Sequence, residues 1–208
     1  MNARALVVDD IGRWSSLWPF AGYEPWLARL VAAPSLRAEA LQGVLSTPVS
    51  FSAQHGKLAA GLDARDVDDS YTAACVRGVV PTRHDNLHDL LNALTWARFP
   101  KAKAALCARQ VRLARERGVI DGLRVRTREQ DACAMVDEGG MVLGPTTRAI
   151  FGHAALEDAV LGRELRPFLV HVDSDDLDDG LARLLDDVAP IPRVRERHVV
   201  MPLMRTDA

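Results

Sequence analysis

The stretch VPTRHDNLHDLLNALTWARFPKAKAALCA, residues Val80 to Ala108, concentrates the chemically active side chains of this 208-residue chain. Its first part brings two histidines, two aspartates and two asparagines into nine residues, and its second part is basic. Leucines recur between the polar residues at the spacing of a helix with one buried face. The stretch therefore predicts a helix that carries a site, with the rest of the chain as its scaffold.

Local signals divide this stretch into two helices. Thr82 is a candidate N-cap with Asp85 in capping-box position, which predicts a first helix from Thr82 to about Arg98. Pro100 disfavours helical geometry at the residue before it and suits the first turn of a new helix. We therefore expect a second helix over residues 100–117.

The remainder of the chain mixes helical and extended signals, which predicts an α+β fold that is predominantly helical. A capping box of Thr127 and Gln130 opens one helix, which ends near Gly139, and Thr146 or Thr147 caps another that runs to about Leu161. Alternating or continuous apolar residues between turn signals predict short strands at Pro48–Ser52, Met141–Leu143 and Phe168–Val172.

Length and composition indicate a single compact domain over residues 1–208. At 48% hydrophobic and 26% charged residues, the chain can bury a core. We expect the main body at about 49–161, an aromatic segment at 1–45 in which Pro19 and Pro25 separate short helical pieces, and a peripheral, solvated acidic segment at 173–208.

Charge and cysteine usage bear on location and partners. The formal net charge of −2 favours neither nucleic acid nor a membrane. No window approaches the roughly 18 apolar residues of a spanning helix, and the N-terminal residues do not resemble a signal peptide. Cys75, Cys107 and Cys133 lack CxxC spacing, which predicts buried, reduced thiols. We expect a cytoplasmic protein without membrane contact.

Polar residues line one edge of the predicted first helix. On a wheel of about 100° per residue, His84, His88 and Asn92 follow one another at i, i+4 and i+8 beside a buried face, which consists of Leu87, Leu90, Leu91, Leu94 and Ala97. Two neutral imidazoles four residues apart can hold a divalent metal. Alternatively, His84 lies in a solvated loop before the helix and His88 is only hydrogen-bonded.

A second polar pair faces the core further along the chain. His153 and Glu157 share the buried face of the helix expected after Thr147. Buried polar groups need partners, so the pair suits metal ligation or a histidine base held by a carboxylate. A hydrogen bond that only locks this helix in place is the alternative. If a site exists, we expect His153 and Glu157 to face His88.

Acidic residues near a glycine pair supply further candidate ligands. The run Asp-Glu-Gly-Gly contains Asp137 and Glu138, and Asp131 lies six residues before Asp137. The two glycines of the run permit close approach of the backbone. Surface capping is the commoner use of such a run, and we expect it for at least one of these acids.

Basic residues cluster after the first helix. Residues 98–128 hold ten basic side chains against two acidic ones. Such a patch beside metal ligands favours a phosphate-bearing or otherwise anionic substrate, bound by Arg83, Lys101, Lys103 and Arg126. A solvated basic helix face is the alternative.

The chain resembles an uncharacterised bacterial family, that of domain of unknown function 3025, over about residues 49–161. The matching pieces are Val80–Arg83, His88–Leu94, Trp96, Phe99–Lys103, Arg126–Arg128, Asp131, Asp137–Gly139, Phe151–Ala154 and Glu157, with Phe51 and Gln54 as an outlying part. The resemblance implies that His88, Asp89, Asn92, Asp137, Glu138, His153 and Glu157 are characteristic family positions. It implies no mechanism, because the family has no established activity.

These patterns together predict a metal-dependent hydrolase for a phosphorylated or anionic substrate. The ion would lower the pKa of a bound water and polarise the scissile group. The predicted catalytic residues are His88, Asp89, Asn92 and His153. The predicted ligands of the divalent ion are His84, His88, Asp131, Asp137, His153 and Glu157.

Two other functions stay open at this point. In one, the protein is a non-catalytic binding protein whose basic helix, within residues 98–128, docks nucleic acid or an acidic partner. In the other, it is an enzyme without metal that uses His88 or His153 as a general base.

Overall fold

Most of the described chain is helical, with short strands between the helices, as the sequence predicts. A computed structural model describes residues 11–33, 35–54, 67–117 and 127–191. In chain order the elements are α1 (Glu24–Val31), α2 (Ala38–Leu45), β1 (Ser50–Ala53), α3 (Tyr71–Val76), β2 (Val79–Thr82), α4 (Leu87–Arg98), α5 (Pro100–Arg117), α6 (Arg128–Gly139), β3 (Gly140–Leu143), β4 (Arg148–Ile150), α7 (His153–Val160), β5 (Phe168–His171) and α8 (Leu177–Asp186), with 3₁₀ turns at Trp18–Phe20 and Val67–Asp69.

The strands form two small sheets. β1 and β2 pair in parallel, with Ser50 opposite Val79 and Ala53 opposite Thr82. In the other sheet β3 lies in the middle, antiparallel to β4 and parallel to β5. The three predicted strands are confirmed as β1, β3 and β5. The sequence did not predict β2, which contains a proline, or β4, whose residues fell in the helix expected after Thr147.

Helix α4 is the central helix of the fold. It contacts α2, α5 and α7, so its apolar face is wider than the predicted leucine stripe and also buries Ala93 and Trp96. Asn92 and Thr95 are buried as well, whereas the wheel placed them at the edge of the core. The Thr95 hydroxyl donates to the Leu91 carbonyl, which satisfies it within the helix.

The prediction that α4 begins at Thr82 is wrong. Thr82 ends strand β2, and the helix is capped by Asn86, whose side-chain oxygen accepts from the Asp89 backbone N–H at 3.0 Å. Asp85 adopts a φ of 52°, which turns the chain between the strand and the helix. His84 therefore lies in an exposed loop and does not stack with His88 along a helix.

The helix predicted after Thr147 is also shorter than expected. The backbone N–H groups of Thr146 and Thr147 donate to the Asp175 carboxylate at 2.8 and 2.9 Å, so these threonines belong to a turn. The chain then forms strand β4 before α7 begins at His153, directly after Gly152. This start gives His153 the first position of its helix.

The acidic segment, which was expected to be solvated and peripheral, contains an amphipathic helix whose apolar side packs on the core, while most of the described aspartates of the segment stay exposed. In the described part of this segment, α8 buries Leu177, Leu181 and Leu185 against the core, and it packs along α5. The Asp178 carboxylate accepts from the backbone N–H groups of Lys101 and Ala102. It thus caps the amino-terminal end of α5 from another element.

One hydrophobic cluster extends from Ile11 to Ile191 and includes the aromatic residues of the first segment. These residues lie in short helical pieces, as predicted, and the Tyr23 hydroxyl donates to the Ile150 carbonyl at 2.8 Å. The predicted burial of the three cysteines is confirmed, and none forms a disulfide. No helix in the described ranges has both the length and the apolar character needed to cross a bilayer.

Candidate metal centre

Three helix ends meet at one point of the fold. His88 lies in the first turn of α4, Glu138 in the last turn of α6, and His153 at the first position of α7. Their ligand atoms all lie within 4.8 Å of one another. The prediction that the His153 helix faces His88 is therefore confirmed.

Glycines hold α7 against the end of α6. The backbone N–H groups of Phe151 and Gly152 both donate to the Gly140 carbonyl, at 2.8 and 2.9 Å. A Cβ at Gly152 would overlap the Glu138 carbonyl oxygen and the Gly140 nitrogen. The close approach that places His153 beside Glu138 thus needs a residue without a side chain at position 152.

The separations between the ligand atoms suit a small metal ion. The Nε2 atoms of His88 and His153 are 2.9 Å apart, and Nε2 of His153 is 3.5 Å from Oε2 of Glu138. Two ligands of a tetrahedral zinc ion, each at about 2.0–2.1 Å from the metal, lie about 3.3 Å apart. A shift of a few tenths of an ångström would therefore bring the two imidazoles to this spacing.

Glu157 determines which nitrogen of His88 faces this point. The His88 Nδ1–H donates to Oε2 of Glu157 at 2.9 Å. In the tautomer whose single proton lies on Nδ1, the Nε2 lone pair of His88 is directed at His153. This carboxylate–histidine arrangement is the one that commonly orients a metal-binding imidazole.

His153 is neutral and has an unsatisfied nitrogen. Burial lowers its pKa to about 3, although the Asp137 carboxylate and, to a smaller extent, the Asp137 backbone oppose the shift. Its Nδ1 is buried and has no hydrogen-bond partner among the described residues, and Oδ1 of Asp137 lies 3.8 Å away. The neutral ring carries a single proton, which lies either on Nδ1, near Asp137, or on Nε2, near His88.

Each position of that proton has a consequence. On Nε2 it allows a hydrogen bond to His88, but then the bare Nδ1 faces the Asp137 carboxylate, acceptor against acceptor. On Nδ1 it faces the carboxylate favourably, but then the two Nε2 lone pairs oppose each other at 2.9 Å unless a proton on Nε2 of His88 or a cation lies between them. A cation between the imidazoles is compatible with the second arrangement and removes its repulsion.

Lys103 and Asn92 belong to a buried network behind the histidines. The Lys103 ammonium is 2% exposed and donates to Asn92 at 2.7 Å and to Asp137 at 2.5 Å. The Asn92 amide donates in turn to the Tyr71 hydroxyl at 2.7 Å. Lys103, predicted to bind substrate, is instead inside the protein, because α5 turns this side of the helix toward α4 and α6.

The pair of Lys103 and Asp137 is charged in the folded protein. Burial acts to lower the pKa of Lys103, but the Asp137 charge raises it overall. Burial acts to raise the pKa of Asp137, but Lys103 lowers it overall. Burial and the neighbouring Asp137 charge raise the pKa of Glu138.

Asp89 and Arg83 form a bidentate ion pair away from the ligand atoms. Arg83 donates from its backbone, Nε and Nη2 to the Asp89 carboxylate, at 2.7, 2.9 and 2.7 Å. Asp89 therefore holds the loop before α4, and its oxygens are already engaged. The Arg83 side chain remains 43% exposed.

The other predicted site residues lie elsewhere. His84 is in the exposed loop before α4, and Asp131 is exposed in the first turn of α6, about 9 Å along the helix from Asp137. Lys101 is exposed and paired with Asp179 at 3.2 Å. Arg126 lies outside the described residues. Of the predicted ligands, the cluster therefore contains His88 and His153, with Glu157 and Asp137 behind them.

Glu138 completes the cluster; the sequence offered it as a further candidate ligand beside Asp131 and Asp137, but it was not one of the six ligands predicted for the ion. It follows Asp137 in the Asp-Glu-Gly-Gly run, whose acids were expected to serve partly as surface caps. The signal that points to Glu138 is the glycine pair after it, since that pair allows α7 to approach the end of α6. Its side chain is 52% exposed, so the cluster is open to solvent on this side.

The basic charges of residues 98–117 are largely accounted for by internal contacts. Arg109 is buried and donates to Glu129, to the Leu185 carbonyl in the last turn of α8 and to the Ala189 carbonyl after it. Arg112 pairs with Glu116, and Arg115 with Asp68. The described basic side chains of this segment are therefore engaged in contacts within the protein, and they do not form a continuous exposed basic surface.

Comparison with known proteins supports the resemblance stated from the sequence. Residues 60–159 match the model of a family described as Protein of unknown function (DUF3025). The matched segment contains His88, Glu138, His153 and Glu157. No curated protein and no solved structure matches the chain.

Proposed function

Since the family that matches residues 60–159 has no known function, we propose one from the site itself: a metal-dependent hydrolase whose divalent ion is held by His88, Glu138 and His153. The observation that carries this function is the approach of two imidazoles, Nε2 to Nε2 at 2.9 Å, beside a half-exposed carboxylate. Two histidines and one carboxylate form a ligand set of catalytic zinc sites, in which a fourth position is left for water.

The roles of the side chains follow from their positions. The ion would polarise the scissile group and lower the pKa of its bound water, which supplies the nucleophile. Glu157 would hold His88 in the tautomer that binds metal. Glu138 would face solvent, where substrate enters, because its side chain is half exposed.

Arg83 supports an anionic substrate. Its guanidinium is bonded to Asp89 along one edge and is 43% exposed. Asp89 chiefly, and Tyr71 and Glu157 to a smaller extent, raise the pKa of Arg83, so the guanidinium stays positively charged. A phosphate or carboxylate of the substrate would be attracted to this cation.

Zinc titration of the purified protein, freed of metal by a chelator, tests the metal site. We expect one ion per chain, with affinity at least 100-fold weaker in His153→Ala and His88→Ala. His171→Ala, which removes an exposed histidine at the end of β5, is the matched control and should bind like the wild type. Absence of stoichiometric binding, or equal loss in the control, contradicts the proposal.

Hydrolysis is tested with chromogenic phosphate and carboxylate esters. We expect activity that a chelator abolishes and that added Zn²⁺ or Mn²⁺ restores. Activity that survives complete metal removal but disappears in His88→Ala would instead favour the metal-free alternative, with His88 as general base.

Within the described part of the basic segment, no contact supports the alternative that the protein binds nucleic acid. Lys103 and Arg109 are buried, and Lys101, Arg112 and Arg115 are paired with acids. This alternative stays a prediction of the sequence and is not proposed.

A further inference from the structure

We infer that Asp137, fixed by the buried ammonium of Lys103, is the positioning residue that holds His153 for metal binding, in the same way that Glu157 holds His88. This inference rests on the proposed metal centre and adds the outer groups that orient its ligands. Asp137 does not itself bind the ion in this arrangement. Its carboxylate faces the far nitrogen, Nδ1, of the His153 ring.

The geometry of the two histidines is parallel. His88 has Nε2 toward the ligand cluster and Nδ1 on the Glu157 carboxylate at 2.9 Å. His153 has Nε2 toward the same cluster and Nδ1 near the Asp137 carboxylate at 3.8 Å. The second separation is longer than a hydrogen bond, and a small rotation of the ring or the carboxylate would close it.

The buried Nδ1 of His153 needs a hydrogen-bond acceptor, and the Asp137 carboxylate can supply one. Nδ1 has no hydrogen-bond partner among the described residues, and burying such an atom unpaired is unfavourable. When Nε2 binds an ion, the single proton of the neutral ring must lie on Nδ1. Asp137 is the acid in position to accept it.

Lys103 fixes the carboxylate in place. Its ammonium donates to Asp137 and to Asn92, and Asn92 donates to Tyr71 on α3. The Asp137 oxygen is therefore held through contacts with three other helices, α3, α4 and α5. A ligand set held by such outer contacts is oriented before the ion arrives.

The charges also fit this division of roles. Three carboxylates surround the two imidazoles, those of Asp137, Glu138 and Glu157. Lys103 neutralises Asp137, which leaves two negative charges to balance a divalent ion. A buried pair that served stability alone would be replaceable by apolar side chains at little cost, so its effect on metal affinity distinguishes the two roles.

The test is the zinc affinity of purified variants, measured by competition with a chromophoric chelator. We expect Asp137→Leu and Glu157→Gln each to weaken binding by about 10- to 100-fold. Asp131→Asn changes an exposed acid on the same helix and should stay within about twofold of the wild type, since most surface changes away from a site are nearly neutral.

A double variant separates positioning from stability. Asp137→Leu alone leaves the Lys103 charge buried beside Asn92, whereas Lys103→Met with Asp137→Leu removes both charges. In the absence of metal, we expect the double variant to melt at the temperature of the wild type. Its affinity for zinc, in contrast, should stay below that of the wild type. Recovery of both would show a purely structural pair and overturn the inference.

The outcomes also separate this inference from the function it rests on. If the wild type binds no zinc, both fail. If the wild type binds zinc and His153→Ala does not, while the double variant binds as tightly as the wild type, only the inference about Asp137 fails.

Discussion

His153 and Lys103 show at the residue scale how burial directs chemistry in this protein. Burial keeps the His153 ring neutral, with its pKa at about 3, and a neutral imidazole is the form that binds metal. Burial of Lys103 has the opposite result, because Asp137 at 2.5 Å keeps the ammonium charged. The same small volume therefore contains an uncharged ligand and a fixed cation.

Replacement of Lys103 by methionine should strongly destabilise the protein. The Asp137 carboxylate would lose its buried partner, and an unpaired buried charge costs about 3 kcal/mol or more of unfolding free energy. Lys101→Met on the same helix is the matched control, because Lys101 is exposed and its pair with Asp179 is at the surface. Urea unfolding measures both, and equal losses would contradict the burial argument.

Residue types alone could not separate these roles in the sequence. His88, His153 and Glu157 were found because their helical spacing put polar groups on buried faces. Lys103 looked like one of ten basic residues in a surface patch, since its burial depends on how α5 packs against α4 and α6. Glu138 was a candidate ligand but could not be preferred to Asp131 or Asp137, because helix ends, unlike helix faces, have no periodic signal.

At the scale of elements, the candidate site depends on the junction of α6, β3 and α7. The Gly140 carbonyl accepts from two successive backbone N–H groups, and Gly152 fits directly against the Glu138 carbonyl. These backbone contacts set the distance between Glu138 and His153. A substitution that moves the two helix ends apart should therefore weaken metal binding even though every ligand residue is still present.

Gly152→Ala is expected to weaken zinc binding and lower the melting temperature. The added Cβ overlaps backbone atoms of Glu138 and Gly140, which cannot rotate away as a side chain can. Gly139→Ala is the matched control, because a Cβ there meets nothing within 4 Å. Calorimetric titration and thermal unfolding check both variants, and wild-type binding by Gly152→Ala would refute this role for the junction.

The main elements of the fold were predictable, but their boundaries were less so. Pro100 and the capping box of Thr127 and Gln130 are local signals, and α5 and α6 begin where these signals predict. The starts of α4 and α7 were placed too early. Both depend on contacts distant in sequence or on a turn, such as that of Thr146 and Thr147 with Asp175, which a helical pattern does not reveal.

For the molecule as a whole, the ion would connect elements that are otherwise joined through packing. His88, Glu138 and His153 come from three helices that belong to one hydrophobic cluster. A ligand that binds only the folded state stabilises that state. Metal binding should therefore raise the stability of the entire chain and not only order the site.

Thermal unfolding with and without zinc tests this linkage. At a free zinc concentration 100 times Kd, the folded state should gain about 2.7 kcal/mol, which appears as a higher melting temperature. Glu138→Gln, which keeps the size of a ligand but removes its charge, should show a smaller increase. An unchanged melting temperature in the wild type would contradict a site that spans three helices.

The most direct measurement is an anomalous difference map from a crystal of the protein grown with zinc. We expect one strong peak between Nε2 of His88 and Nε2 of His153, at about 2.0–2.1 Å from each, with the Glu138 carboxylate as a further ligand. A map without a peak at this position, in which the two histidines remain hydrogen-bonded to each other, would contradict the proposed metal centre.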